Sequence, residues 1–215
     1  MPPAAPRIYL ASRSPRRREL LRQIGVGFDV IAFRGGARGA DADVDETPLA
    51  DEAVEHYVER LALSKAEAGV RRIRWRRLLP RLVLAADTTL ELDGEIIGKP
   101  ADAADACRIL ARLSGRSHRV LTAIARADGD GERIRSALSV SEVRFRSLTE
   151  DEIRRYVATG EPMDKAGAYG IQGRAAMFIE EIRGSYTGIM GLPLYETSEL
   201  LAAFGYPLWS QSAAP

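Results

Sequence analysis

The stretch RLVLAADTTLELDGEIIGKP (residues 81–100) decides how this chain folds. RLVLAAD reads as a buried strand, an apolar run closed by Asp87. TTLELDGEIIG places Asp93-Gly94 between β-type residues, a strong hairpin signal. Elsewhere strands alternate with helices. An interposed hairpin in that pattern points to an α/β fold with a mixed rather than a purely parallel sheet.

Upstream, residues 8–11 read as a short buried strand. Pro15 opens a helix with Ser14 as N-cap, and Gly25 closes it. Residues 28–33 form a second apolar strand, and RGGARGADADVDETP (residues 34–48) an irregular loop. A long helix is expected over about residues 49–70. Val54, Val58 and Leu61 step along its apolar stripe, and the next step of four lands on Lys65. Downstream, a helix is expected over 102–113 and strands over 118–125 and 138–145. Thr149 and Glu152 make a capping box for a helix to about 159. A strand follows over 176–182, then a last helix ending at Gly205, and a frayed tail after it. No internal repeat or linker is evident, so the 215 residues are read as one domain with an ordered core over about 8–205.

Composition narrows the function. Apolar residues make up 46% and charged residues 28%, ordinary for a folded globular protein. A net charge of +1 gives no global field to recruit nucleic acid or membrane, so any anion site must be local. RRIRWRRLLPRL (residues 71–82) could be a nucleic-acid patch, but reads better as a solvated helix end and loop. The single cysteine, Cys107, allows no intrachain disulfide and reads as a small buried hydrophobe. With no spanning run and no signal peptide at the start, cytoplasm is the expected location. Of the 31 basic residues only Lys65, Lys99 and Lys165 are lysine. In so Arg-rich a chain, a retained lysine marks a place for a compact ammonium, or chance.

Several residues can carry chemistry. LASRSPRRRELL (residues 10–21) offers a helix N-terminus with the hydroxyls of Ser12 and Ser14 and the charges of Arg16 and Arg17. That is a phosphate cradle, or simply an N-cap and a basic turn. Asp87, at a strand end, can hold a metal, accept a proton from water, or cap the next turn. Lys99 follows the hairpin, which can fold it back towards Asp87. Lys65 is a functional cation or snorkels at a helix end. Glu46 adds another acid. GAYGIQG (residues 167–173) spaces its glycines by three, which suits close approach to a ligand or tight turns. With His56 and His118 the only histidines, neither a His/Cys zinc site nor a Ser-His-Asp triad is credible. Acids without such ligands suit a hard cation such as Mg²⁺.

Together LASRSPRRRELL, DETP, LALSKA, AADTTLELDGEIIGKP, LSGRSHRVLTAIA, GEPMDKAGAYGIQG and GSYTGIMGLPLYET resemble, in order, the motifs of the Maf family of nucleoside triphosphate pyrophosphatases. The resemblance implies a mixed, twisted sheet with flanking helices, in two lobes around a central cleft, related to the inosine triphosphate pyrophosphatases. It implies hydrolysis of a nucleoside triphosphate to monophosphate and diphosphate with Mg²⁺ or Mn²⁺. GEPMDKAGAYGIQG resembles the branch acting on dTTP and UTP, rather than that for 7-methylguanosine triphosphate. The family's proton acceptor falls on Asp87, which with Glu46 would hold the metal. Its specificity positions fall on Arg16, Thr88 and Gln172, and phosphate contacts on Lys65 and Lys99, with Ser14 at the helix start. A homodimer is implied, with no nucleic-acid or membrane partner. The alternatives are a pyrophosphatase for another base, such as 7-methylguanosine triphosphate, and a regulatory binding protein acting in septum formation.

Overall fold

The computed structural model describes residues 6–31 and 44–209. Phe33, most of the loop read over 34–48 and the tail after Trp209 lie outside them. The architecture is α/β: a seven-stranded mixed sheet in the order β2-β1-β3-β5-β6-β7, with β4 paired to β3. The strands are β1 (Ile8–Leu10), β2 (Phe28–Val30), β3 (Val83–Leu92), β4 (Glu95–Ile97), β5 (Ser117–Ala127), β6 (Ile134–Phe145) and β7 (Ile179–Arg183). β1 pairs in parallel with β2 and β3, while β3/β4 and β6/β7 are antiparallel, which makes the sheet mixed. The chain divides into two compact units.

The first unit comprises Met1–Asp87, Ala123–Leu138 and Gly191–Pro215. The crossover from β1 to β2 is helix α1 (Pro15–Gln23), with Pro15 in its first turn and the Ser14 hydroxyl accepting from the Arg17 N–H. Helix α2 (Val54–Trp75) buries Val58, Leu61 and Ala62. Gly69 lets it come close to the sheet: a Cβ there would lie 2.7 Å from Val83 Cγ1. Helix α2 is displaced from the expected 49–70. Residues 49–52 form a turn instead, with the Leu49 N–H on the Glu52 carboxylate and Asp51 at positive φ. The other end continues to Trp75, where Arg77 turns left-handed and the Leu78 N–H returns to the Ile73 carbonyl, closing the helix without glycine. The Arg-rich segment is therefore helix over residues 71–75 and turn and loop beyond, as read, though not all of it is solvated. Arg72 is fully buried, and Arg74 donates to the Asp130 carbonyl.

The second unit comprises Thr88–Thr122 and Ser139–Met190. The hairpin turn is as expected, with Asp93 and Gly94 both at positive φ. Its first arm, however, is the same strand that carries Asp87: β3 runs unbroken for ten residues, because Thr88, Thr89 and Leu90 keep pairing. Asp87 thus lies mid-strand, not at a strand end, and caps no turn. Helix α3 (Ala103–Leu113), capped by Asp102, and helix α4 (Glu150–Val157), with its Thr149/Glu152 capping box, sit where expected. The expected strand over 176–182 starts as a 3₁₀ turn (Arg174–Phe178), and only Ile179–Arg183 pairs. A short helix α5 (Tyr186–Met190), not expected, precedes α6 (Leu194–Ala202), which belongs to the first unit. Cys107 is partly buried against the core of the second unit.

An aromatic cluster centres that core. Phe145 meets Tyr169 at 4.9 Å and His118 at 5.1 Å, edge to face. His118 Nε2 shares a 2.8 Å hydrogen bond with the Tyr169 hydroxyl. Burial pushes the imidazole down to about 4, so it folds neutral. Between about pH 4 and the unfolded value near 6.5 the unfolded chain binds the extra proton. Stability should therefore fall as pH drops through that window, by up to about 3 kcal/mol from this group. Urea unfolding from pH 4 to 7 should show the slope, and His118→Phe should reduce it.

Candidate active site

In the first unit, the turn after β1 is organised by side chains. The Ser12 hydroxyl accepts from the Ser14 N–H at 3.2 Å and from Arg17 Nη1 at 3.1 Å. Arg17 Nε donates to the Gly191 carbonyl at 2.7 Å, tying the helix start to the C-terminal part of the unit. Burial lowers the Arg17 pKa, and the negative charge of Asp87 opposes that shift. Arg16, one residue earlier, is half-buried at the same helix start. The turn is thus a cationic helix N-terminus with oriented hydroxyls, a local field suited to anions.

Lys65 does not snorkel. Its ammonium lies 2.7 Å from Asp87 Oδ1 and 2.5 Å from Glu46 Oε1, with only 13% of its side chain exposed. Helix α2 presents it from the stripe of Val58 and Leu61, and β3 presents Asp87 from a buried stretch. The Glu46 segment is fastened to the same helix: the Tyr57 hydroxyl donates to the Glu46 carbonyl at 3.0 Å, and Arg60 to the Thr47 carbonyl at 3.2 Å. Arg60 also grips Glu52 at 2.6 and 2.7 Å and holds that carboxyl down to about 2. Burial, then the charges of Asp87 and Glu46, push the Tyr57 phenol up to about 12, so it stays a donor. Two carboxylates therefore converge on one cationic point. Their oxygens are hard donors. Among the described residues no group of three His, Cys, Asp or Glu side chains forms a metal site. The pair fits a cation that takes one or two carboxylates and completes its shell with water and phosphate oxygens, as Mg²⁺ does.

In the second unit, the Thr88 and Thr122 hydroxyls are 2.9 Å apart, and Thr122 also donates to the Gly188 carbonyl at 2.8 Å. Lys99 is exposed just beyond the hairpin, and the neighbouring Gly98 carbonyl accepts from the Gly167 N–H at 3.0 Å. That bond joins the end of the hairpin to the glycine-rich loop. Gln172 is exposed in a turn closed by the Gly173 N–H on the Gly170 carbonyl at 3.0 Å. The structure thus gathers Glu46, Lys65 and Asp87 at one point of the first unit and sets Ser14 and Arg16 at its α1 start. Thr88, Lys99 and Gln172 belong to the second.

The family description "Maf-like protein" matches residues 7–204. The chain belongs to the Maf family. It is 74% identical over 208 residues to the dTTP/UTP pyrophosphatase of Aromatoleum aromaticum, covering 97% of this chain and all of that one. It is 59% identical to the dTTP/UTP pyrophosphatase of Dechloromonas aromatica, covering 93% and 98%. The solved structure of the Staphylococcus aureus Ham1 protein is 20% identical, covering 93% of this chain and 97% of that one, with a TM-score of 0.48.

Sequence reasoning underrated three residues of this Maf chain. Arg17 was visible as charge beside Arg16, but its bond to Gly191 crosses 174 positions. Tyr57 and Glu161 bond to groups that only the fold brings near them, Tyr57 to the Glu46 carbonyl and Glu161 to the Tyr156 hydroxyl and the Arg174 N–H; a tyrosine and a glutamate leave no local signal of that. Replacing Arg17 by Ala would leave the Gly191 carbonyl and the Ser12 hydroxyl short of a donor. Unfolding free energy should drop by about 1–3 kcal/mol, measured by urea titration, and an unchanged midpoint would contradict the assigned tie.

Proposed function

We propose that this Maf protein hydrolyses dTTP and UTP to the nucleoside monophosphate and diphosphate, with Mg²⁺ or Mn²⁺. The observation that carries this reading is the extent of the likeness: 74% identity across 97% of the chain to a dTTP/UTP pyrophosphatase. The chemistry of the first unit agrees with it.

Glu46 and Asp87 would hold the metal ion, which when bound neutralises charge on the phosphates. The remaining steps belong to the chain. Ser14, Arg16, Lys65 and Lys99 take the triphosphate oxygens, Arg16 with the help of the α1 N-terminus. Asp87 takes a proton from the attacking water as its oxygen bonds to the α-phosphorus. The bond from that phosphorus to the bridging oxygen of the β-phosphate breaks, and diphosphate leaves with its charge balanced by the lysines. Positioning and electrostatics supply most of the acceleration. Thr88 and Gln172 read the base. A uracil or thymine edge shows carbonyl acceptors and one N–H donor, and a carboxamide offers both complements. The lone cysteine accords with a cytoplasmic setting, and no described helix is long and apolar enough to cross a membrane. A homodimer is the expected assembly.

Asp87→Asn keeps the shape and removes the charge. Turnover should fall by about 10²–10⁴-fold or more, and excess chelator should abolish wild-type turnover until Mg²⁺ or Mn²⁺ is restored; near-normal rates in either case would sink the mechanism. Diphosphate release from UTP, dTTP, CTP, ATP and GTP tests the substrate. UTP and dTTP should exceed the others in kcat/KM by about ten- to a hundredfold, and Gln172→Ala should flatten the ranking more than it slows the best substrate. A preference for purines would overturn the assignment.

A further inference from the structure

We propose that Glu161 and Tyr156 clamp the turn that carries Gln172, and so act as positioning residues for base selection. The inference rests on the reading that Gln172 contacts the base. Gln172 itself is exposed, on a turn of high glycine content, and such a turn would sample many orientations unless its ends were held. Both ends are held, and by one connected set of hydrogen bonds. At the leading end, the Gly170 N–H donates to the Tyr156 hydroxyl at 3.3 Å. That hydroxyl donates to Glu161 Oε1 at 2.9 Å. At the trailing end, the Arg174 N–H donates to Glu161 Oε2 at 3.1 Å. The Gly173 N–H closes the turn on the Gly170 carbonyl. One carboxylate therefore reaches both flanks of the Gln172 turn, one oxygen through the phenol and the other directly.

The parts behind the clamp are stiff. Tyr156 is buried and packs edge to face on Phe178 at 5.1 Å. Lys165 Nζ donates to the Glu161 backbone carbonyl at 2.5 Å, fixing the main chain that carries the carboxylate. There is no slack on the turn side either. A Cβ at Gly173 would lie 2.1 Å from Glu161 Oε1, so glycine at 173 is what lets the carboxylate occupy its place. Burial and the bond to Glu161 keep the Tyr156 phenol protonated, as the donor the chain of bonds requires. A carboxamide that must meet a pyrimidine edge at hydrogen-bond distance gains selectivity only if its backbone is set beforehand.

The test measures kcat/KM for UTP and CTP, with thermal midpoints, for the wild type, Glu161→Gln, Tyr156→Phe, Gln172→Ala and the Glu161→Gln/Gln172→Ala double variant. A glutamine at 161 has one acceptor oxygen in place of two, so one flank is released. Tyr156→Phe keeps the ring against Phe178 and removes only the hydroxyl, so it remains informative if Glu161→Gln folds poorly. Each should lower the UTP-to-CTP ratio by about tenfold, with a rise in KM for UTP larger than the fall in kcat. In the Gln172→Ala background, Glu161→Gln should change the ratio by less than about twofold, because the residue it positions is gone. A ratio that falls for Gln172→Ala but stays at wild type for both clamp variants, whatever their melting temperatures, overturns the inference alone. A full additional effect in the double variant also overturns it. A ratio indifferent to Gln172→Ala removes the base-reading role and this inference with it.

Discussion

A single ammonium, that of Lys65, holds the first unit's charged centre together. It sits on the buried stripe of α2 with little solvent, where an uncompensated charge would be costly. Asp87 and Glu46 offset that cost, and the same ammonium keeps the two carboxylates from repelling one another at close range. The requirement fixes several things at once. Helix α2 must be rotated so that the step after Val58 and Leu61 faces β3. Asp87 must fall at the right register on β3, and the Glu46 segment must be fastened to α2, as Tyr57 and Arg60 do. Removing Lys65 would leave the Asp87 carboxylate, only 12% exposed, without its ammonium, which typically costs more than the pair itself contributes. The charged groups are therefore in place before any ligand arrives, which under the proposed function would spare them reorganisation during the reaction.

The second unit solves a different problem by the same logic. Its glycine-rich loop needs a backbone with little side-chain bulk, yet such a backbone is the least ordered kind. Buried side chains supply the order. Tyr169 and Ile171 alternate into the core while Gln172 stays outside. The Tyr169 hydroxyl meets His118, and Tyr156 with Glu161 holds the turn that follows. A solvent-facing amide thus rides on aromatic packing; under the proposed function, little ordering entropy would remain to be lost when it meets a base.

What was legible in the chain beforehand was local. The Ser14 cap, the Asp93-Gly94 turn and the Thr149/Glu152 capping box are each written in a few consecutive residues, and each folds as read. The misreadings share a cause. Residues 49–53 have a helical composition, but Glu52 is more favourably placed accepting from Leu49 and binding Arg60 than continuing α2 backwards. Asp87 resembled a strand terminus because an acid interrupts an apolar run. The strand continues because Lys65, 22 positions away, neutralises that acid. Helix α5 carries Gly188 and is only five residues long, too short for periodicity to register. The acids at 46 and 87 and the lysine at 65 were readable as chemistry; that they belong to one site came only from the family resemblance, since nothing in their spacing dictates the meeting.

The three lysines show how composition becomes structure. In a chain that otherwise uses Arg for its cations, Lys65 and Lys165 both end in small enclosures, with 13% of each side chain exposed. Lys65 Nζ has an acceptor on each of two carboxylates; Lys165 Nζ has the Glu161 carbonyl at 2.5 Å and Asp164 Oδ1 at 2.6 Å. Acceptors that converge on one point at such distances suit an ammonium, whose three donors radiate from a single atom. A guanidinium spreads its donors over a plane and would need the acceptors further apart. For these two positions, internal geometry alone accounts for lysine. Lys99 is different, being exposed, so packing within the chain does not select its head group. Under the proposed function, a phosphate oxygen of the substrate, a compact acceptor of opposite charge, would be the partner that suits an ammonium there.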